Sequence, residues 1–435
     1  ESYMSWGFDT DLEYQGVLDW ADDFVKKKVE PLDHVLGATK EYDDPDFIRL
    51  VRPLQAEVKE RGLWACHLGP ELGGLGFGQL KLALLNEILG RSRFAPVIFG
   101  CQAPDTGNAE ILAHYGTEEL KDKYLKPLLE GEISSSYSMT EPQGGSDPTS
   151  FRCTAVEDGD DFVINGEKWF SSSARYASFL VVMTVTDPDA PKHSSMTMFV
   201  VPTDTPGVEI VRNVGVGDEA PGEGSHAYIR YTDCRIPRSN MIGMRGQAFA
   251  VAQTRLGGGR IHHAMRTMGQ IKKAFDMMCE RALSRTTKGE LLADKQMVQD
   301  KIADSWIEME QFRLLVLRTA WRIDQYNDYM KVRKDIAAIK ALMPKVYHDI
   351  VSRSLQIHGS LGVSNELPLT GMLIGSYVMG IADGPTEVHK VTVARQVLRD
   401  YEGSEDLFPH YSLPNLQADA LAQFGDQIER EVESW

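Results

Sequence analysis

The feature that most constrains the fold of this chain is a block of short β-strand patterns between two helical regions. From Glu132 to about Ile242, apolar and polar residues alternate in short runs, and Asp158–Gly159 is typical of a hairpin turn. On either side of this block, apolar residues recur every three to five positions, as in amphipathic helices. Segregated helices and strands indicate an α+β protein rather than alternating βαβ units, which argues against a Rossmann crevice.

The same change in periodicity divides the chain into four parts. We predict an N-terminal helical domain (1–131), a central antiparallel β-barrel or sandwich (132–242), a C-terminal domain like a four-helix bundle (243–402) and a tail (403–435). Apolar spacing predicts helices at Pro45–Gly62, Gln79–Gly90, Asp105–Tyr115, Thr117–Glu130, Ala248–Ser284, Asp294–Tyr326 and Tyr329–Gly359. Another helix should begin near Thr10 and end by Pro31, and the tail should hold a last one from Leu416. Thr117 is the predicted N-cap of its helix, because acidic residues follow it.

Composition limits the partners of the chain. Its formal net charge of −17 opposes nonspecific binding to nucleic acid, which depends on neutralising phosphates, but leaves room for a local phosphate site. The five cysteines lie far apart, which argues against a disulfide framework or a zinc ribbon and favours a reducing compartment; no metal site is predicted. The best apolar run, Phe179–Val185, has strand length, so no membrane span is expected, and the first residues lack a secretory pattern.

One segment at the start of the strand region has the composition of a ligand-binding loop. Tyr137–Asp147, YSMTEPQGGSD, combines hydroxyl residues with a proline and the consecutive glycines Gly144 and Gly145. Such a loop exposes backbone N–H groups and hydroxyl donors, which suit phosphate groups or the edge of a flavin. Taken alone, the composition fits a plain interdomain turn better, because turns of this kind are common.

Four segments in a fixed order resemble the acyl-CoA dehydrogenase family. Tyr137–Asp147 resembles the family's Thr-Glu-Pro stretch that is followed by Gly-Ser-Asp, and Ile164–Ala174 (INGEKWFSSSA) resembles its Asn-Gly-x-Lys stretch. Arg281–Gln296 (RALSRTTKGELLADKQ) resembles the segment with Arg, Thr, Gly and Gln at fixed spacing. Gln356–Leu369 (QIHGSLGVSNELPL) resembles the Gln-x-x-Gly-x-x-Gly stretch. The order of helices, strands and helices matches the family independently of these motifs.

The resemblance implies an FAD cofactor and assigns residues to it. Met139 and Thr140 would contact the isoalloxazine, with the Thr140 hydroxyl near N5, where the hydride arrives. Ser146 would face the pyrophosphate and, like Arg260, help to bind the substrate. The implied cofactor residues are Tyr137, Met139, Thr140, Ser146, Phe170, Ser172, Arg285, Thr287, Gln296, Gln356, Ser360, Pro385 and Glu387. In the family the arginine, both glutamines and the 356–360 segment come from a neighbouring subunit, which implies a homodimer or homotetramer.

The catalytic base implied by the resemblance is Asp383, in the stretch IADGPTEVHK. The family usually has a glutamate there, and some members place the base on an earlier helix, at the position of Gly259, which has no carboxylate. Aspartate is one methylene shorter, so the backbone or the substrate must compensate. A nearly dry site would raise the pKa of this base toward the working pH. Without the other motifs, Asp383 would only begin an Asp-Gly-Pro turn before a helix capped by Thr386.

Other residues around Asp383 are secondary candidates. Glu387 and His389 are alternative bases, although Glu387 matches a family glutamine near the adenine. His262 and His263 are adjacent, so they point to different sides of a helix, cannot form a metal pair alone, and are expected to pack or to face solvent.

Three positions depart mildly from the family pattern. Phe170 stands where the family often has tryptophan, Ser172 where it usually has threonine, and Pro385 where it usually has threonine. An aromatic face and a hydroxyl are therefore kept next to the flavin, while the indole N–H is lost.

Together these residues predict α,β-dehydrogenation of an acyl-CoA thioester to the trans-2-enoyl-CoA, with Asp383 taking the α-proton and flavin N5 the hydride. The resemblance implies an electron-transfer flavoprotein as acceptor and a bacterial cytoplasm or a mitochondrial or peroxisomal matrix. LGGGRIHHAMR and ADGPTEVHK resemble a subgroup associated with kinase-like domains, whose members use aspartate and act on hydroxylated or branched chains. Two alternatives stay open: a same-fold oxidase of the nitroalkane or acyl-CoA oxidase type, and a catalytically silent CoA- or flavin-binding subunit.

Overall fold

The structure is a computed structural model that describes residues 10–36 and 44–428; residues 1–9 of the predicted N-terminal domain and 429–435 of the predicted tail lie outside it. The helices are α1 Leu12–Phe24, α2 Pro45–Glu60, α3 Gln79–Leu89, α4 Ala95–Ile98, α5 Asp105–Tyr115, α6 Glu118–Leu120, α7 Lys126–Leu129, α8 Ala248–Ser284, α9 Gln296–Tyr326, α10 Arg333–His358, α11 Ser360–Val363, α12 Leu369–Ile381, α13 Thr386–Leu398 and α14 Leu413–Phe424. The strands are β1 Ser135–Ser138, β2 Thr154–Asp158, β3 Asp161–Ser172, β4 Phe179–Val185, β5 Met196–Pro202, β6 Val208–Val214, β7 His226–Pro237, β8 Met241–Ile242, β9 Thr286–Thr287 and β10 Glu290–Leu291. The predicted order of helices, strands and helices is confirmed.

Two predicted helix caps had different outcomes. The Thr117 hydroxyl accepts a hydrogen bond from the N–H of Leu120 at 3.3 Å, which confirms it as the N-cap of α6. Thr386 is instead the first residue of α13, and its hydroxyl donates to the carbonyl of Gly380 at 3.3 Å. The predicted capping role of Thr386 is therefore wrong, and its hydroxyl ties α13 back to α12.

The central sheet is mixed and open. Its strand order is β6-β7-β3-β2-β4-β5-β8, with β1 beside β4, and the chain turns between β2 and β3 at the predicted hairpin. Strand β1 runs parallel to β4, and β2 meets β4 in parallel at Thr154 and Val185. Within the described residues, the end strands β6 and β8 do not pair with each other, so the predicted antiparallel barrel is not confirmed. The chain enters β1 directly from the helical region rather than through a hairpin, and nothing therefore forces an antiparallel pairing there.

Helix α8 connects the sheet to the helical bundle. It has 37 residues, which corresponds to a length of about 55 Å. Its first turns pack with α5 and one face of the sheet around Ile111, Val181 and Val251, whereas its middle packs with α3, α9 and α10 around a second core. The other face of the sheet has a core of its own, formed by residues of β3, β4, β5 and β7. Two of these three cores therefore meet along α8, which also carries several side chains of the site.

The N-terminal helices approach α8 at a glycine contact. A Cβ atom at Gly90 would overlap the carbonyl of Arg266, and one at Gly269 would overlap the carbonyl of Glu87. The close approach of α3 to α8 therefore requires glycine at both positions. Across residues 10–36 and 44–428, no helix combines the length and the apolar character needed to cross a membrane.

Candidate active site

Asp383 lies in the short turn between α12 and α13. Its φ of 55° is left-handed, as is the φ of 98° at the following Gly384. Glycine adopts this region freely, whereas a residue with a Cβ atom loses roughly 1 kcal/mol there and keeps the conformation only when its surroundings fix it. The side chain of Asp383 is 22% exposed at this turn, where α12 and α13 meet α8 and α10.

Three helices fix the backbone of this turn. From α8, Nε of Arg260 donates to the carbonyl of Asp383 at 3.0 Å, and from α13, Nε2 of His389 lies 3.2 Å from the same oxygen. From α10, the buried Nζ of Lys340 donates to the carbonyl of Met379 at 2.6 Å and to that of Gly384 at 3.4 Å. These donors satisfy the carbonyls at the end of α12 and hold the left-handed backbone in place.

The carboxylate of Asp383 is held on one side only. His263 Nε2 lies 3.1 Å from Oδ2, whereas Oδ1 makes no hydrogen bond within the described residues. A Cβ atom at Gly259 would lie 3.9 Å from Oδ2, so the two base positions of the family converge on one place in this chain. The expectation that His263 merely packs or faces solvent is therefore wrong. The signal was its spacing, because residues 259 and 263 share one face of a helix.

The surroundings of Asp383 oppose each other in their effect on its pKa. Burial raises the pKa, but the hydrogen bond and charge of His263, with the charges of Arg255 and Lys340, lower it more, and the net pKa falls well below its usual range. The raised pKa expected from a dry site is therefore wrong, because α8 and α10 bring charged groups close to the carboxylate.

A buried polar cluster lies beside this carboxylate, between α5 and the start of α8. Arg255 is 9% exposed, donates from Nε to Oδ1 of Asn108 at 3.1 Å, and places its guanidinium carbon 3.8 Å from the centre of the Tyr137 ring. Burial raises the pKa of Glu110 to about 7 against the opposing charge of Arg255. Burial also raises the pKa of Tyr137 to about 12; Arg255 opposes this rise and Asp383 adds to it. The end of β1 therefore lies within electrostatic reach of Asp383.

The loop after β1 is anchored by a buried ion pair. Nζ of Lys168, with no exposed surface, donates to Glu141 at 3.0 Å and to the carbonyl of Met139 at 2.7 Å. Glu141 also accepts from the backbone N–H groups of Arg152 at 2.6 Å and Cys153 at 2.9 Å. Burial raises the pKa of Glu141, but Lys168 and the two backbone donors outweigh it, and the net shift is downward. The sequence analysis missed this pair, although both charges stand inside its quoted motifs.

The residues predicted to contact the flavin ring lie at one edge of the sheet. Met139 and Thr140 directly follow β1, and the carbonyl of Thr140 accepts from the N–H of Trp169 at 2.8 Å, which ties this loop to β3. The hydroxyl of Thr140 makes no hydrogen bond to another described residue. Ser146 is exposed farther along the same loop.

Phe170 and Ser172 follow on β3 and share a neighbour. The Phe170 ring is 38% exposed and stacks on His226 with a centroid distance of 4.9 Å. Oγ of Ser172 lies 2.8 Å from Nδ1 of the same histidine. The structure therefore brings Met139, Thr140, Phe170 and Ser172 to neighbouring strands, with an aromatic face and a hydroxyl at the surface.

The remaining predicted cofactor residues lie apart from this edge. Arg285, Thr287 and Gln296 are exposed around the β9–β10 hairpin between α8 and α9, and Gln356 and Ser360 are exposed at the end of α10 and the start of α11. None of these five side chains makes a hydrogen bond to another residue in the part of the chain that the structure describes. A single chain therefore does not bring them to the flavin edge.

Pro385 and Glu387 line a large groove on the other side of the Asp383 turn. The groove has a volume of about 880 Å³ and lies between α10, α12 and α13. Tyr377 and His348 line it as well, and their rings contact each other at 5.5 Å. Glu387 is exposed in the first turn of α13, while His389 is buried behind it. The two alternative bases therefore face away from Oδ1 or bind the Asp383 backbone.

Comparison with known proteins places this geometry in context. Models of the N-terminal, middle and C-terminal domains of acyl-CoA dehydrogenases match residues 11–132, 136–228 and 246–398. A probable acyl-CoA dehydrogenase, FadE2, from Mycobacterium tuberculosis is 42% identical over 379 residues, covering 84% of this chain and 92% of that protein. Acyl-CoA dehydrogenase family member 11 from Gallus gallus is 39% identical over 399 residues, covering 89% of this chain and 50% of that protein. The chain thus spans about half the length of that relative.

A solved structure gives the same picture for the fold. A putative acyl-CoA dehydrogenase from Mycobacterium abscessus superimposes with a TM-score of 0.84 at 35% identity. The superposition covers 91% of this chain and 100% of that one.

Proposed function

The chain belongs to the acyl-CoA dehydrogenase family of FAD-dependent oxidoreductases, and from that premise we propose that it oxidises an acyl-CoA thioester to the trans-2-enoyl-CoA with Asp383 as the base. The observation that carries this proposal is the carboxylate of Asp383, fixed through its backbone by three helices and left with one free oxygen. A base fixed in this way is suited to abstract a proton from a substrate carbon held beside it.

The residues present fit a flavin. Thr140 offers an unengaged hydroxyl, Phe170 an exposed ring, and the loop after β1 is rigidly anchored by Glu141 and Lys168. When bound, FAD accepts the hydride from the β-carbon. The chain's own part is to bind and orient: Met139 and Thr140 would hold the ring, and Ser146 would face the pyrophosphate. Oδ1 of Asp383 would receive the α-proton.

For the same site we infer a substrate whose acyl chain carries a polar group, such as a hydroxyl, rather than a plain straight chain. The buried cluster of Arg255, Asn108 and Glu110 lies within electrostatic reach of Tyr137 and Asp383. Arg255 and Asn108 bond to each other, but the Glu110 carboxyl makes no hydrogen bond within the described residues. An alkyl chain beside this carboxyl would leave it unpaired when water is excluded, which is unfavourable. The shortened base and the polar surroundings both favour a substituted chain.

Electron-transfer flavoprotein is the acceptor we propose, and the assembled enzyme is a homodimer or homotetramer. The exposed positions of Arg285, Gln296 and Gln356 support a shared cofactor site, because these side chains would reach the FAD bound to a neighbouring subunit.

The test is anaerobic mixing of the FAD-loaded protein with straight-chain, branched and hydroxylated acyl-CoA thioesters. We expect at least one thioester to bleach the visible absorbance of the oxidised flavin, with the substituted chains reacting faster. Asp383→Ala should slow this bleaching by about 10²–10⁴-fold while FAD stays bound, because general-base catalysis contributes that much.

The alternatives have distinct outcomes in the same experiment. Rapid reoxidation by oxygen with peroxide release, or turnover of nitroalkanes, would favour the oxidase. No bleaching with any thioester would contradict the dehydrogenase and favour a silent binding subunit. Normal bleaching by Asp383→Ala would remove Asp383 from its proposed role.

A further inference from the structure

His263 has a role at this site that neither its sequence motif nor the family assignment supplies. Its Nε2 atom lies 3.1 Å from Oδ2 of Asp383. Resting on the proposed role of Asp383 as base, we propose that His263 is a positioning residue that holds Oδ2 and leaves Oδ1 to take the α-proton.

The geometry determines which carboxylate oxygen of Asp383 contacts His263. His263 lies four residues after Gly259 on α8, so the two positions share one helix face. Because Gly259 has no side chain, the space over Oδ2 is open to the imidazole. The backbone of Asp383 is already fixed by Arg260 and His389, so the side chain keeps only its own rotations. One hydrogen bond to Oδ2 then determines where Oδ1 points.

Several other charged or titratable groups face His263 and Asp383. They are Arg255, Arg260, His262 and Arg266 from α8, Lys340 from α10, His389 from α13 and Tyr137 from β1.

These groups differ in how their charge responds to pH. Burial lowers the pKa of His389 to about 4 and that of His262 well below its usual range, so both are neutral in a neutral solution. The arginines stay charged. Burial lowers the pKa of Lys340 to about 8, against the opposing charge of Asp383, so its charge changes only in alkaline solution. His263 is the imidazole in direct contact with the carboxylate.

The contact with His263 leaves Oδ1 as the oxygen that can accept a proton. The imidazole Nε2 occupies Oδ2 at 3.1 Å, whereas Oδ1 has no hydrogen-bond partner among the described residues. In the step itself the α C–H bond breaks and the proton goes to Oδ1. The released electron pair forms the new C=C bond as the β-hydride leaves for the flavin of the family reaction.

The first test follows flavin reduction by stopped flow. The probe is the thioester that bleaches the wild-type protein fastest. His263→Gln keeps an N–H donor where Nε2 stands, so it should stay within about threefold of the wild-type rate. His263→Leu has no donor for Oδ2 and should be at least about tenfold slower.

His262→Gln is the matched control for the first test. His262 is the neighbouring imidazole of α8, and its Nε2 lies 3.2 Å from Oε1 of Gln79 rather than near Asp383. This variant should keep the wild-type rate. A wild-type rate in His263→Leu, or equal losses of rate in His263→Gln and His263→Leu, would overturn the proposal.

A second test needs no substrate. In protein carrying ¹³C-labelled aspartate carboxyls, the Asp383 signal is identified by its loss in Asp383→Asn. The Asp383 carboxyl should protonate at a higher pH in His263→Gln than in wild type, because His263 contributes to the lowering of its pKa. An unchanged midpoint would overturn the role of His263. If none of the thioesters bleaches the wild-type flavin, the proposed function is contradicted. The carboxyl titration then still decides whether His263 interacts with Asp383.

Discussion

The two ends of the proposed site differ in how much of their geometry a single chain supplies. At the base, the left-handed turn of Asp383 receives hydrogen bonds from α8, α10 and α13. At the far end of the cofactor site, Arg285 and Gln356 are exposed and bind no other described residue. Similar motifs marked both ends in the sequence, yet only one of them is organised within this chain.

The Asp383 turn and the exposed Arg285 end should therefore control different properties of the enzyme. A strained backbone that is held by buried donors has a fixed geometry. Substitutions near Asp383 should therefore alter the rate of flavin reduction or the stability of the fold. Exposed side chains without partners contribute little to the free energy of unfolding, so substitutions at Arg285 should alter cofactor retention instead. Variants at the two ends should therefore separate an effect on rate or stability from an effect on cofactor retention.

The largest effect should come from lengthening the base by one methylene. Asp383→Glu restores the usual family residue, yet its carboxylate would be pushed past His263 while the backbone stays fixed by Arg260 and His389. We expect flavin reduction to slow by about 10²-fold, the cost of a misplacement near 1 Å. Stopped-flow reduction by the best thioester measures it.

The control for this variant is Asp233→Glu. Asp233 is also left-handed, with a φ of 48°, but it is exposed on β7, where its carboxylate accepts from Nδ2 of Asn165 at 3.1 Å. It should leave the rate of reduction unchanged. A faster Asp383→Glu enzyme would show that side-chain length, rather than the fixed turn, sets the position of the base.

At the exposed end, Arg285→Ala should weaken FAD binding by about 10- to 100-fold, the loss of one or two charge-assisted hydrogen bonds to phosphate. Its melting temperature without FAD should match that of wild type. FAD titration followed by flavin fluorescence measures the affinity. Arg49→Ala, an exposed arginine paired with Asp46 on its own helix, is the control and should bind FAD normally. Equal affinity in both variants would remove Arg285 from the cofactor site.

Mixed oligomers sharpen the same comparison. If Arg285 serves the FAD of a neighbouring subunit, a mixed dimer of Arg285→Ala and Asp383→Ala chains has one site with both defects and one intact site. Co-expression of the two defective chains, assayed at an FAD concentration at which Arg285→Ala alone loses its cofactor, should then recover part of the wild-type activity. No recovery in purified mixed dimers would show that both residues act within one subunit.

Lys340→Met should have a smaller effect, mainly on stability. The buried amine satisfies the carbonyls of Met379 and Gly384, and its loss leaves them unpaired at a cost of about 1–3 kcal/mol. Chemical denaturation with and without FAD measures the change. Lys334→Met, on the same helix and paired only with Asp400 at 3.4 Å, should change stability by less than about 0.5 kcal/mol. Equal losses in the two variants would contradict a special role for Lys340.

The sequence predicted the parts of the molecule that depend on local patterns. Helix bounds such as Asp105–Tyr115 and Ala248–Ser284 follow from apolar spacing, and both are confirmed. The pairing of β1 with β4 was not predicted, because it joins segments far apart in the chain and no hairpin marks it. The closed barrel failed for the same reason.

The site shows a similar limit. Asp383 and the Thr140 loop were found through motifs, whereas His263 and Lys340 reach the base from helices whose crossing no single-sequence pattern gives. The lowered pKa of Asp383 could not be predicted for that reason. It depends on His263, Arg255 and Lys340, which two helices bring to the carboxylate.

The smallest effect should appear at Glu110, in the buried cluster beside the base. Burial raises its pKa from 4.5 to about 7, so the folded protein holds this proton more tightly than the unfolded chain does. Stability is therefore lost as the pH rises through this window, by roughly 1 kcal/mol after allowing for partial solvent access. Glu110→Gln lacks the titrating group, so its melting temperature should fall less than that of wild type between about pH 4 and 8, a range that brackets the shift. Glu119→Gln, at an exposed position on α6, is the control and should behave as wild type. If Glu110→Gln had the same pH dependence as wild type, Glu110 would be solvated like the exposed end of the site.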